Sequence, residues 1–400
     1  MIFQPVKQTD EHGNADTPAK RYTQAFRIFI SRQIIALHCG LHLLALYSEE
    51  KMDRIHLIEK PDDSAYLAAK SHWDSIAKPL GSFGDLEEML QRIAAIQHSA
   101  DIDISGRTAV IFCADHGIVE EGVTQCGSDV TAICAAAIAE GRSNVNAIAR
   151  EFHAEVLAVD IGMKTNAESD RIIQRKIAAG TRNFTKEPAM TEEQTTAAVR
   201  TGIDIVRELK TAGTRMIVSG EMGIGNTTSA SAIAAVLLGL PPEAVTGRGS
   251  GLSDDGLRRK ISTIRRGIEL HRPSAEHPLH LLQMLGGLEI AGMTGLFLGG
   301  AVYRIPVIID GVISAAAAAI AYRLNPLCAE YMLASHCSGE PAASGLLHMM
   351  HLKPVIDAGL RLGEGTGGLL LLPLLDGALA LYRYAHKFDD EPIERYTKQS

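Results

Sequence analysis

RTAVIFCA, residues 107–114, ends in a run of apolar side chains that does not alternate with polar ones. Such continuous character belongs to a strand buried on both faces, the environment of a parallel sheet. Four further runs follow at intervals long enough to hold a helix: AEVLAVDIG (154–162), TRMIVSGE (214–221), YRIPVIIDG (303–311) and AEYMLASH (329–336). Strands alternating with helices of ten or more residues require right-handed crossovers, so the class is α/β, a doubly wound and mainly parallel sheet. Open parallel sheets bind ligands beyond the carboxyl ends of their strands. Asp115, His116, Asp160, Glu221, Asp310, Ser335 and His336 fall on that edge. One acid in such a place often only caps a helix, but five strand ends converging point to a site.

Composition narrows the chemistry. The 400 residues carry 39 Lys+Arg against 47 Asp+Glu, a formal net charge of −8, which argues against a nucleic-acid binder. At 46% hydrophobic and 22% charged the chain has ample core, so disordered and fibrous classes are excluded, and length alone allows two to three domain-sized units. Glycine is abundant, at 37 residues, while aromatics make up only 5%. That balance suits a backbone lying close to a small ligand, and glycine-rich turns explain it equally well. Cys39, Cys113, Cys126, Cys134, Cys328 and Cys337 form no CxxC pair, so neither a zinc ribbon nor a disulfide framework is expected and a reducing cytoplasm fits.

Three stretches resemble membrane spans: LGGLEIAGMTGLFLGGAV (285–302), SAAAAAIAY (314–322) and GLLLLPLLDGALALY (368–382). Each is too short or carries Glu289 or Asp376, so buried helix is the expectation. The first fifty residues differ from the rest, with a polar lead running into the amphipathic FRIFISRQIIALHCGLHLLALY (26–47), read as a docked helix with a partner-binding or membrane-surface helix as the alternatives. No secretory signal is read there, and Met52 is an alternative start.

Three segments carry candidate chemistry. SGEMGIGNTTSASAIAAVLLG (219–239) reads as strand, glycine turn and helix opening with Asn226, Thr227 and Thr228. Its free amides and helix dipole suit a phosphate, although a plain capped turn has the same pattern. It has neither the GK[ST] of a Walker A loop nor a GxGxxG fingerprint. GRGSGLSDDGLRRKI (247–261) exposes amides at three glycines, with Lys260 following on a helix to offset a phosphate charge. Asp254 and Asp255 read as a solvated helix N-terminus rather than a magnesium-binding pair, so no metal is expected. RLGEGTGG (361–368) sets Glu364 between glycines and ahead of an apolar run. A carboxylate against an apolar wall is a better proton acceptor near neutral pH, whereas a turn pointing its Glu to water would be inert. His348 and His351 form HxxH without a third ligand and read as a surface helix pair. Ser335, His336 and Cys337 are adjacent on one strand end, a placement expected to keep nucleophile and base from facing each other. Ala315–Ala319 reads as a close-packed helix.

KPLGSFGDLE (78–87), ADHGIVEEGV (114–123), GEMGIGNTT (220–228), GGLEIAGMTGLFLGGA (286–301), PVIIDGVISAAAA (306–318), SHCSGE (335–340) and RLGEGTGG together resemble the nicotinate-nucleotide:dimethylbenzimidazole phosphoribosyltransferase family. The resemblance runs in order from Lys78 to Tyr382. It implies transfer of ribose phosphate from nicotinate mononucleotide to 5,6-dimethylbenzimidazole, without a cofactor, in a homodimeric cytoplasmic enzyme that binds neither nucleic acid nor membrane. By that resemblance Glu364 is the general base. Gly223, Gly249, Lys260 and Ser338 contact phosphate and ribose, while Glu221, Met222 and Leu362 lie near the reacting centre or the incoming base. The resemblance also implies a catalytic domain over 101–377 and a small helical domain built from 51–100 and 378–400, leaving 1–50 as an extension of unknown role. In VTQCGSDVTAIC (123–134) many relatives have Ser-Pro or Tyr-Pro where this chain has Cys126-Gly127, with Cys134 further along. That departure leaves open adenine, benzimidazole or a phenol as the acceptor, and a catalytically silent nucleotide-binding relative is the rival of another class.

Overall fold

The computed structural model describes residues 54–390 and 392–396. The amphipathic segment at 26–47 and the start at Met52 lie outside the described residues. Six strands, β1 (Arg107–Ala114), β2 (Glu155–Gly162), β3 (Ile173–Gln174), β4 (Met216–Met222), β5 (Val307–Ile309) and β6 (Met332–Ala334), form one sheet in the order β3-β2-β1-β4-β5-β6. Every pairing is parallel. Five strands coincide with the five apolar runs; β3 is two residues long and too short to leave a pattern in the sequence. The order reverses between β1 and β4, where Phe112 pairs with Glu221 and Cys113 with Met222. An open parallel sheet admits a ligand at such a reversal, because the crossovers on either side leave in opposite directions.

The helices that matter for the site are α1 (Asp63–Ser75), α2 (Asp85–Gln97), α3 (Asp129–Ala139), α4 (Asn144–Glu151), α5 (Glu192–Ala212), α6 (Asn226–Leu238), α7 (Asp254–His271), α8 (Leu288–Tyr303), α9 (Val312–Leu324), α10 (Ala343–Met349), α11 (Thr366–Leu369) and α12 (Leu371–Tyr384). All eight positions of β1 are buried. Its side chains alternate between two cores: Val110, Phe112 and Ala114 face the layer of α5, α8 and α9, and Ala109, Ile111 and Cys113 face the opposite layer. That second core also takes Trp73, Leu90, Ile93, Leu372, Leu375 and Tyr382, so helices from both ends of the described chain pack on one face of the sheet. Tyr382 lies edge-on to Trp73 at 5.3 Å between ring centroids, and the 377/378 division falls inside α12.

Two of the three apolar stretches are buried helices, α8 and α9; the third, the α11–α12 pair, departs from that expectation, because α12 buries one face and leaves Leu374, Asp376, Gly377 and Ala380 exposed. No helix among the described residues is long and apolar enough to cross a membrane. The glycine surplus has a second cause besides ligand approach, because α5 and α8 cross backbone to backbone. A Cβ on Gly202 would lie 2.0 Å from the Gly292 carbonyl oxygen, and one on Gly295 only 1.8 Å from that of Val199. Part of the glycine count therefore serves helix packing rather than a ligand.

Candidate active site

Glu221 is the penultimate residue of β4 and is buried. The turn 223–225 then brings the chain into α6, whose N-cap Gly225 has φ 100° and offers no side-chain cap. The first residue of that helix, Asn226, turns back and donates through Nδ2 to Glu221 Oε2. Burial pushes the Glu221 carboxyl up to about 8, helped by the negative charges of Asp310, Glu289 and Glu364 and opposed by the Asn226 hydrogen bond. Gly223 packs on the backbone of β1, where a Cβ would come within 2.5 Å of the Ala114 oxygen. Met222 beside it is half-buried.

The turn carrying Glu364 lies directly over this carboxyl. A Cβ at Gly363 would stand 2.7 Å from Glu221 Oε1, and Gly220 on β4 lies against the Glu364 carbonyl carbon and the Gly365 nitrogen. Gly363, Glu364 and Gly365 have φ of 82°, 60° and 79°, three successive left-handed residues of which only the middle one bears a side chain. Glu364 is half-buried, and its Oε2 accepts from the Val145 amide at 3.4 Å, at the positive end of α4. Cys134 on α3 shares these surroundings: burial pushes its thiol up, and the nearby Glu364 and Cys126 add to the effect. Both cysteines are half-buried, and Leu362 is 60% exposed at the rim next to Gly363.

The other half of the site lies across the first turn of α6. Lys260 on α7 is fully buried, and its Nζ donates to Thr227 Oγ1 at 2.8 Å. Burial pulls this amine down to about 8, while Glu340 works in the opposite direction. Gly249 (φ 51°) faces the same point, since a Cβ there would lie 3.0 Å from Thr227 Oγ1 and 3.5 Å from Lys260 Nζ. The Glu340 carboxylate lies against Gly247 of the same loop, and Ser338 Oγ accepts from the Glu340 amide at 3.4 Å. An uncapped helix start, a glycine loop and one desolvated lysine form an anion cradle, the arrangement that suits a phosphate group.

The remaining edge residues serve the scaffold. Asp115 Oδ2 accepts from the Lys164 amide at 2.7 Å, and Asp160 Oδ1 from the Met163 amide at 2.9 Å with Lys176 Nζ 3.2 Å from its other oxygen. His116 is buried between Glu289 at 2.7 Å and Ser229 at 3.1 Å. Contrary to the expectation from adjacency, Ser335 Oγ and His336 Nδ1 are hydrogen-bonded at 3.0 Å. Their side chains meet although His336 still bridges Ile356 as a strand residue, but Ser335 Oγ also donates to the Ile309 oxygen at 2.6 Å inside the core. His348 and His351 are not a helix pair, because α10 ends at Met349 and His351 sits in the following turn with φ 58°. Among the described residues no group of three or more His, Cys, Asp or Glu is arranged to hold a metal ion. Asp254 and Asp255 open α7 at the surface behind the N-cap Ser253, as expected.

Sequence reading missed the part played by Glu289 and Glu340. A lone acid inside the apolar GGLEIAG was the available signal for the first, since a buried carboxylate needs a partner. Glu340 carried no comparable signal, because its neighbours Gly247 and Lys260 are remote in sequence.

Residues 58–393 match the family model described as phosphoribosyltransferase. The nicotinate-nucleotide–dimethylbenzimidazole phosphoribosyltransferase of Acetivibrio thermocellus is 40% identical over 326 residues, covering 82% of this chain and 93% of that protein. The enzyme of the same name from Geobacter sp. strain M21 is 44% identical over 336 residues, covering 84% and 96%. The crystal structure of the nicotinate-nucleotide–dimethylbenzimidazole phosphoribosyltransferase of Thermus thermophilus superimposes with a TM-score of 0.76 at 34% identity, over 82% of this chain and 98% of that one. With this fold, this sheet-edge site and likeness along most of its length, the chain belongs to the nicotinate-nucleotide–dimethylbenzimidazole phosphoribosyltransferase family.

Proposed function

We propose that the protein transfers ribose 5-phosphate from nicotinate mononucleotide to 5,6-dimethylbenzimidazole, releasing nicotinate and α-ribazole 5′-phosphate for the lower ligand of cobalamin. The observation that carries this reading is the division of the site by α6. Asn226 holds a buried carboxyl beside Glu364, and the next residue, Thr227, holds the lysine of an anion cradle. One end suits a proton transfer and the other a phosphate, with the ribose between them.

Nicotinate bonded to ribose is a pyridinium, so its ring nitrogen departs uncharged when the C1′–N bond breaks and takes that electron pair. A nitrogen lone pair of benzimidazole forms the new bond to C1′, and its other ring nitrogen must lose a proton. One positioned base suffices for that, and Glu364 is placed to accept it. Glu221, pushed up to about 8, is mostly an uncharged acid at neutral pH, so it is not the base of this step. Lys260, Gly249, Gly223 and Ser338 bind the phosphate and ribose in this reading. Holding both reactants in register supplies much of the remaining acceleration. No cofactor is needed by this chemistry.

Glu221, Met222, Leu362, Cys126 and Cys134 flank the acceptor in the same proposal. The Cys134 thiol near Glu364, with Cys126 near Cys134, favours a second reading of the pocket, in which adenine, benzimidazole or a phenol replaces dimethylbenzimidazole as acceptor. A homodimer in the cytoplasm, with a small helical domain built from 51–100 and 378–400 beside a catalytic domain over 101–377, completes the proposal. The test is mass-spectrometric identification of products after incubation with nicotinate mononucleotide and a mixture of purines, benzimidazoles and phenols. α-Ribazole 5′-phosphate as main product is expected, and no riboside phosphate of any base would overturn the reading.

A further inference from the structure

We propose that Asp310 is the positioning residue of this site: its buried carboxylate grips the turn after Glu364 by two backbone amides and fixes the left-handed backbone from which the base projects. The inference rests on the reading of Glu364 as the base. Asp310 directly follows β5, so the rigid sheet sets its position, and it is only 4% exposed. Its Oδ2 accepts from the Gly365 amide at 3.2 Å and its Oδ1 from the Gly368 amide at 2.8 Å. Both carboxylate oxygens are thus engaged with the GEGTGG segment.

That segment needs a clamp. A side-chain-bearing residue in the left-handed region is strained, and such strain persists only where the surroundings over-determine it. Thr366 supplies a second strap, its Oγ1 donating to the Gly363 oxygen at 2.7 Å. Gly220 allows the turn to settle on the sheet, and the His336 ring presses on Gly367, where a Cβ would lie 2.2 Å from Cε1. Asp310 is the one charged group among these contacts, and it holds the amides on both sides of Thr366. A four-residue helix such as α11 has little intrinsic stability, so a carboxylate binding two of its first amides decides whether the turn forms at all.

The test is Asp310→Asn in the full chain. The amide keeps the shape, loses the charge and presents an N–H₂ that cannot accept, so one of the two amide bonds is lost. Turnover is expected to fall about 100-fold, the typical cost of misplacing a catalytic group by an ångström. The KM for nicotinate mononucleotide should hold, because the Lys260 cradle lies across α6. A purely structural role would instead lower the melting temperature and leave kcat per folded molecule unchanged. A folded Asp310→Asn protein with wild-type kcat overturns the proposal. If that variant does not fold, Asp310→Ser, smaller and too short to hold both amides, loosens the same grip, and wild-type kcat there overturns it equally. Glu364→Ala run in parallel separates the two readings. Its retention of turnover would refute the base assignment, whereas its loss alongside an active Asp310→Asn would refute only the clamp.

Discussion

Glu221→Gln should make the unliganded protein more stable, by an amount that grows with pH. The carboxyl lies buried at the end of β4 and is pushed from 4.5 up to about 8, chiefly by desolvation and then by the charges of Asp310 and Glu289. Below about pH 4.5 the group is protonated in folded and unfolded chains alike, and the substitution changes nothing by this route. As pH rises, the unfolded chain ionises first and gains, so wild-type stability drains away between pH 4.5 and about 8 and then levels off. At about 1.4 kcal/mol per pH unit, the difference between variant and wild type should reach about 3 kcal/mol at pH 7 and about 5 kcal/mol above pH 8. A glutamine imitates the protonated acid, since its amide oxygen still accepts from Asn226 and its N–H₂ replaces the acid proton. The assay is thermal or urea unfolding of both proteins from pH 4.5 to 9. In a chain this large 3 kcal/mol corresponds to roughly 5 °C in Tm. Curves that run parallel across the range, or a variant less stable than wild type at pH 9, would refute a desolvated and protonated Glu221.

Other expectations concern turnover. Glu364→Ala should lower kcat by about 10²–10⁴-fold, the usual contribution of a general base, while calorimetry still detects nicotinate mononucleotide binding; near-normal turnover would sink the assignment. Lys260→Ala should weaken the mononucleotide about 10–100-fold, the worth of a hydrogen bond to a charged group, and leave free dimethylbenzimidazole binding unchanged. Equal losses for both ligands would refute a phosphate role. Because a pyridinium leaves without electrophilic help, turnover should survive exhaustive chelation, and a loss restored by magnesium would overturn that step.

Much of this architecture is legible in the sequence because the strands are buried on both faces. RTAVIFCA has no polar face to confuse its period, and the same holds for β2 and β4, so strand positions follow from apolar runs alone. β3 escapes for the opposite reason, being two residues held by two pairings. Local backbone was legible around the candidate site, with Glu221 at a strand end, Asn226 opening the next helix and Glu364 among glycines, but the Asn226–Glu221 hydrogen bond across that turn was not. The site was not legible where long-range contacts decide a role. Asp310 and Gly365 are 55 positions apart, and nothing near Asp310 distinguishes an acid that grips a loop from one that caps its own helix. Glycine misled for a related physical reason. A missing Cβ reads the same whether it leaves room beside a lysine and a threonine, as at Gly249, or admits a neighbouring helix, as at Gly295.

The two titrating anchors of the site, Glu221 and Lys260, are desolvated to about the same value, about 8, from opposite directions. The costs differ in what relieves them. In the proposed reading, a phosphate arriving at Lys260 restores the attraction that burial removed, so the amine is held charged once the mononucleotide is seated, and part of the burial cost returns as binding energy. In the same reading the substrate's pyridinium brings a positive charge toward the reacting centre near Glu221, which relieves part of that carboxyl's burial cost in the same way. Before substrate arrives, Glu221 carries that cost and is mostly protonated at neutral pH. The neighbouring residues Asn226 and Thr227 impose both conditions from one helix turn. A displacement of α6 would therefore disturb the proton chemistry and the phosphate cradle together, which is why a sheet edge, a helix start and two glycine loops are packed around that single turn.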